Sequence, residues 1–307
     1  MSTASIYFGP HPERVAWQPV LRLAMIEARR YAMRVSIWIG WAVTVAEASL
    51  NHPDWPGGSY ENVLPLAFGP MLLGVFIAAV RTGARDADPD LPPLAEEAAV
   101  DVDDRHAARL LGLAMPAALA FLTAIGISIV SRIEGGFWMG DAPFRTDAAL
   151  HSPLELLQPP LLTLLAGALG VVTGRALRRP LLAIVIGAFT WSLLFPAYWV
   201  WNSPPLNVTT PAQIMPLRVG IGKIIRLSEI PADWRISPPN EYQPEYERQI
   251  VHLPTVAFHH LYLVGLIMIV AAGVARGYRR SVRVAGIAVA IVGVVAQLAV
   301  SPHGWTG

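Results

Sequence analysis

Two adjacent imidazoles, His259 and His260, sit in the apolar stretch "HHLYLVGLIMIVAAGV". A haem or metal site would need histidines on facing helices at matched depth. The other histidines (His11, His52, His106, His151, His252 and His303) fall mostly in polar segments, so the pair is expected to act at an interface beside Tyr262. Glu47 lies inside another apolar run, and an intramembrane carboxylate could couple protons or hold a polar substrate. It stands near the end of its run beside Asn51 and His52, within reach of water. The stretch "VGIGKII" (Val219–Ile225) contains Gly-Lys, but a phosphate-cradling loop requires G-x-x-x-x-G-K-[ST]. The upstream glycine is missing and Ile224 replaces the metal-binding hydroxyl, so ATP binding by this chain is rejected.

Two charge clusters complete the inventory. "RDADPDLPPLAEEAAVDVDDRHAARL" carries Glu96, Glu97, Asp101, Asp103 and Asp104 next to Arg105. Cation binding needs convergent oxygens, so a solvated face or a partner's docking site is the expectation. "GRALRRPLLAIV" places Arg175, Arg178 and Arg179 in a gap between two apolar runs. No catalytic, cofactor-binding or metal-binding residue is assigned. The absence of cysteine removes thiolate chemistry and disulfides. A net charge of +1 gives no field for nucleic acid.

The elements that must hold these residues are apolar blocks. Charged residues are 15% of the chain against about 25% in soluble domains. Blocks of apolar residues without alternation predict an all-α polytopic membrane protein. Spans of roughly 17–25 apolar residues are expected near 35–50, 63–80, 110–131, 156–173, 181–201, 254–274 and 284–300, a count of six or seven. They form a membrane domain over 35–301, with a Pro-rich outer segment at 202–252. Residues 1–34 form a cytoplasmic N-terminus without the pattern of a secretory signal. Arginines cluster at 22–34, 81–109, 175–179 and 276–283, which places those segments in the cytoplasm. Trp38, Trp41, Trp138, Trp199 and Trp201 lie near span ends as interfacial anchors. Val20–Arg34 repeats Leu21, Met25 and Ile26 with Arg22, Arg29 and Arg30 at helical spacing, the pattern of an amphipathic interfacial helix. Ala166, Gly170 and Gly174 form a small-xxx-small ridge for close helix packing.

This order of elements resembles the membrane subunit of a bacterial type 2 ABC exporter over most of residues 18–283. "SPLELLQPPLLTLLAGALGVVTGRAL" resembles the fourth span of such permeases, and "HHLYLVGLIMIVAAGVARGYRR" their last span. The resemblance implies that Val20–Arg34 is a connecting helix. It implies that part of Leu94–Leu110, with Glu96, Glu97, Asp101, Asp103, Asp104 and Arg105, is a coupling helix seated in a separate ATP-binding cassette ATPase. Arg175, Arg178 and Arg179 would make the second ATPase contact. A second permease chain and a lipid membrane are the other implied partners, and ATP would act through the ATPase. The chain departs from the family in its acidic first cytoplasmic loop and in the added run Val284–Val300. Two alternatives stand beside this expectation. One is a membrane enzyme or binding protein working through Glu241, Glu245, Glu247 and His252 of the outer segment. The other is a proton-coupled carrier using Glu47.

Overall fold

The computed structural model describes residues 17–50, 68–87, 102–139, 146–177, 179–201, 206–211, 218–220, 249–251, 253–274 and 279–300. In order, the helices are α1 (Trp17–Ala32), α2 (Val35–Leu50), α3 (Gly69–Gly83), α4 (Val102–Gly112), α5 (Ala114–Ile133), α6 (Gln158–Leu177), α7 (Pro180–Trp201), α8 (Leu253–Ala271) and α9 (Arg279–Val300). Two short antiparallel ribbons lie between helices: β1 (Phe137–Met139) with β2 (Thr146–Ala149), and β3 (Arg218–Gly220) with β4 (Gln249–Val251).

Each expected span contains a helix, with shifted ends. Four helical stretches are long and apolar enough to cross a membrane: Asp103–Ile133, Glu155–Leu177, Leu253–Ala271 and Arg279–Val300. Val35–Leu50, Gly69–Gly83 and Pro180–Thr190 are apolar helix below that length. The helix expected at 110–131 begins earlier, because α4 runs into α5 with a single turn residue, Leu113, between them. The last helix also starts earlier, at Arg279, so its first turns carry Arg279, Arg280 and Arg283. Large apolar side chains are exposed along α2, α5, α7 and α9, among them Ile39, Leu122, Phe189 and Ile291. Surfaces of this kind suit lipid and not water. The chain is a membrane-embedded helical protein.

The helices are gathered around α3. From Met71 to Gly83 nine of thirteen residues of α3 are buried, although the helix is only 15 residues long. Lipid supplies no hydrophobic force between helices, so small residues that let backbones approach must do the work. On one side, Gly40 of α2 and Gly74 of α3 face backbone: a Cβ on Gly74 would stand 2.3 Å from Ser36 O, and one on Gly40 2.5 Å from Pro70 O. On the other side α6 approaches. A Cβ on Gly83 would stand 2.2 Å from Val171 O, and one on Gly174 2.1 Å from Val80 O. Gly170 meets Phe76 O and the Ala79 methyl group in the same way. Ala166 packs with Leu72 one turn further along. The Ala166–Gly170–Gly174 ridge therefore lies against α3 of the same chain.

A second tight pair, α8 with α9, is built on Gly265 against Gly286 and Ala290, and on Gly293 against the Tyr262 backbone. It joins the rest through α6, where Leu162 and Leu165 pack with Leu263.

Helix ends inside this bundle need partners for their free backbone groups. α3 begins with Pro70 and no side-chain cap of its own. Thr44 of α2 supplies one, accepting from Met71 N at 3.2 Å. Arg175 at the end of α6 donates to Val274 O, just past α8, at 2.7 Å. α5 closes on Gly135 at φ +92°, with Gly136 N donating back to Ser131 O, a left-handed stop that suits glycine. Ser152 and Glu155 make a reciprocal capping box before α6, with Ser152 N donating to Glu155 Oε2 at 2.7 Å.

Gly174→Ala is expected to destabilise the protein by about 1–3 kcal/mol through overpacking. Gly126 has open space around it, so Gly126→Ala should be neutral or gain up to about 1 kcal/mol of helix propensity. Thermal unfolding of both variants in detergent checks the contrast; equal behaviour would mean that the α3–α6 approach is not tight.

Candidate functional site

Polar side chains gather at two places, one at each end of the bundle. The first is at the Arg-rich end, where α1 crosses α4 and the exit of α3. Val20 and Ala24 of α1 bury against Ala108 of α4. The opposite face of α1 exposes Leu21, Met25 and Ile26 together with Arg22 and Arg29. The crossing is close because α4 ends on Gly112, whose Cβ would stand 2.8 Å from the Glu27 Cβ.

Glu27 is the buried centre of this junction. Arg85, in the 3-10 turn Ala84–Ala87 that continues α3, donates from one Nη1 to both carboxylate oxygens, at 3.1 and 3.0 Å. Arg30 donates to Glu27 Oε1 at 2.5 Å from within α1. Burial pulls the Arg85 guanidinium below its ordinary pKa, and the Glu27 carboxylate opposes that pull. The Tyr31 hydroxyl lies beside Thr82, which donates to Ala78 O, without a well-formed bond between the two hydroxyls. Burial pushes that phenol up, so it stays protonated. On α4, Arg109 Nη1 lies 3.3 Å from His106 Nδ1, and donation there needs that ring nitrogen unprotonated.

Among the described residues the junction pairs no nucleophile with a base. What it does is mechanical: one carboxylate ties α1 to the exit of the central helix, while α1 packs on the start of the α4–α5 rod.

The second place is at the opposite end. His259 of α8 is fully buried, with Nε2 3.1 Å from Pro211 O and Nδ1 3.3 Å from Gln297 Oε1 of α9. The Gln297 amide donates to Gly293 O at 3.2 Å. One turn along, Tyr262 donates to Thr209 O at 2.6 Å, its ring 5.9 Å from the His259 ring. These bonds fasten the turn Leu206–Thr209 and Pro211 to the α8–α9 pair. His260 is buried with neither ring nitrogen bonded among the described residues. Among the described residues no group of three or more His, Cys, Asp or Glu is placed to hold a metal ion.

The residues singled out from sequence are dispersed. Asp103, Asp104 and Arg105 form the start of α4, half-buried, where acids complement the helix dipole. Arg175 caps α8 and Arg179 is exposed. Glu47 is half-buried in the last turn of α2. Glu96, Glu97, Asp101, Arg178, Lys223, Glu241, Glu245, Glu247 and His252 lie outside the described residues. Sequence reasoning missed Glu27 and Gln297. Both had a signal, for Glu27 is the lone acid of α1 and Gln297 the lone polar residue of α9 beyond Arg283.

Compared with known proteins, the chain matches no family model, no curated protein and no solved structure.

Glu27→Gln should cost about 3 kcal/mol, because it leaves Arg85 partly buried without its counter-charge. In a double-mutant cycle with Arg85→Gln, a coupling of about 1–3 kcal/mol is expected; strictly additive losses would mean that the contact holds nothing together. His259→Phe should speed hydrogen exchange at 206–211 while leaving exchange in α3 unchanged. Mass spectrometry of deuterated peptides reads both regions.

Proposed function

We propose that this chain is the membrane-spanning permease subunit of an ATP-driven exporter of the type 2 ABC kind, moving its substrate by alternating access. ATP hydrolysis belongs to a separate cassette ATPase, and two permease chains share the work. In this reading α2, α3 and α7 cross the membrane with the four longer helices, giving seven spans. The Arg-rich end faces the cytoplasm of a bacterial cell, with the N-terminus on that side.

The observation that supports this reading is the continuity of α4 and α5. Asp103–Ile133 is 31 residues long, about 46 Å at ~1.5 Å per residue. A bilayer core takes only about 30 Å of that. Several turns at the α4 end therefore stand outside the apolar layer, packed on α1. A partner that moves α4 moves a membrane helix directly. Through α1 and the Glu27–Arg85 pair, the same displacement reaches the exit of α3. A chain without a nucleotide site can be driven in this way, provided the partner's ATP-bound and ATP-free forms favour different arrangements of these elements. Glu96 and Glu97, just ahead of α4, are the acids offered to a basic groove in the ATPase. Arg179, in the exposed hairpin between α6 and α7, offers a second contact.

Purification from native membranes in mild detergent tests this reading. An ATPase should co-purify in near-equal amount, with turnover that depends on this chain. Charge reversal by Glu96→Lys with Glu97→Lys should lower that stimulated turnover by about tenfold or more, since like charges at a docking face are costly. The amount of inserted chain should not change. A single chain without an ATPase, even after crosslinking, would overturn the proposal.

A further inference from the structure

Among the described residues, the elbow between α1 and α2 sets several guanidinium groups around one carboxylate, Glu27. Arg30 and Arg85 both bond to Glu27. Arg34 follows one turn after Arg30, close enough for its charge to repel that of Arg85. It has no side-chain hydrogen bond or ion pair among the described residues. Among the described side chains two guanidinium groups thus bond to one carboxylate and a third stands near them, a surplus of two positive charges. Arg85 is largely buried, with 23% of its side chain exposed, so water screens the surplus poorly. Arg30 remains about half exposed and Arg34 partly so, leaving donors for an incoming anion.

The neighbourhood of that surplus is apolar. Met33, at the turn itself, is 73% exposed, and Trp38, one turn into α2, is 42% exposed. The Trp38 indole N–H is already donated to Ala32 O at 2.6 Å, so the ring offers its faces and not a hydrogen bond. Here an amphipathic helix turns into an apolar one, so the elbow lies where headgroups meet acyl chains.

We infer that the α1–α2 elbow is a binding site for one anionic phospholipid, its phosphate held by Arg30, Arg34 and Arg85 and its acyl chain lying along Met33 and Trp38. The inference rests on the chain's place in a membrane and not on the ATPase partnership. Guanidinium forks match phosphate oxygens, and a net-negative headgroup offsets the surplus. A zwitterionic headgroup brings its own cation and offsets less of it. A soluble phosphate would satisfy the arginines but would leave the exposed Met33 and Trp38 unused. Glu27 holds Arg30 and Arg85 in place while leaving the pocket positive.

The test uses the full chain in a neutral detergent, with phosphatidylglycerol or phosphatidylcholine added to the micelles. Phosphatidylglycerol should raise the melting temperature about 3 °C more than phosphatidylcholine does. Native mass spectrometry should find one phosphatidylglycerol retained per chain. Arg34→Gln should weaken retention by about tenfold, the loss expected for one charge-assisted contact. Met33→Asp, at a position 73% exposed, should do the same by placing a like charge against the phosphate. Arg279→Gln with Arg280→Gln, which removes two exposed arginines from α9, should leave retention unchanged. The inference is overturned if the two lipids act alike, if Arg34→Gln and Met33→Asp retain lipid fully, if the α9 variant loses it equally, or if inorganic phosphate matches phosphatidylglycerol.

Discussion

Everything else in the structure depends on how closely backbones approach α3. Gly40, Gly74, Gly83, Gly170 and Gly174 each face a carbonyl or backbone atom where a methyl group would not fit. In lipid, where burying apolar surface brings no gain, such contacts supply dispersion and weak C–H···O attraction over a long seam. They also explain how a helix of 15 residues can be the centre of the bundle. It is held from two sides by α2 and α6, and the ring of Phe76 rests against Gly187 of α7.

Several polar groups are satisfied between helices. Thr44 closes the start of α3, Arg175 the end of α8, and Trp41 donates to Thr123 of α5 at 2.9 Å. The two polar centres extend this rule to the rims. Glu27 ties α1 to the exit of α3, and His259 with Tyr262 ties residues 209 and 211 to α8 and α9. Both ends of the bundle are thus fastened to packed helices. A membrane protein worked by a partner at one rim would need such an arrangement, because slack joints would absorb the displacement before it reached the other rim.

Arg175 shows how one residue can answer two demands. Its charge flanks the apolar run of α6, and its guanidinium donates to Val274 O, just past α8 and 99 residues away. Arg30 and Arg85 are similar, since each would hold topology as a bare charge, yet both are spent on Glu27. In the proposed lipid site the same two, held in place by Glu27, act together with Arg34.

The apolar blocks, their arginine flanks and the amphipathic pattern of Val20–Arg34 determined by themselves that the chain would be helical and membrane-embedded, because period and hydropathy are local properties. The small-residue ridge at Ala166–Gly174 was legible for the same reason, but its partner was not: spacing reveals that a face is flat, not which helix covers it. Tertiary structure alone decided that α3 is that partner, that α4 and α5 join into one rod, and that Arg175 caps α8. It also decided the role of Glu27 and His259. A lone carboxylate or imidazole in a sequence has the same chemistry wherever it stands. What it does depends on which guanidinium, amide or carbonyl the fold brings within hydrogen-bonding distance, from residues tens of positions distant.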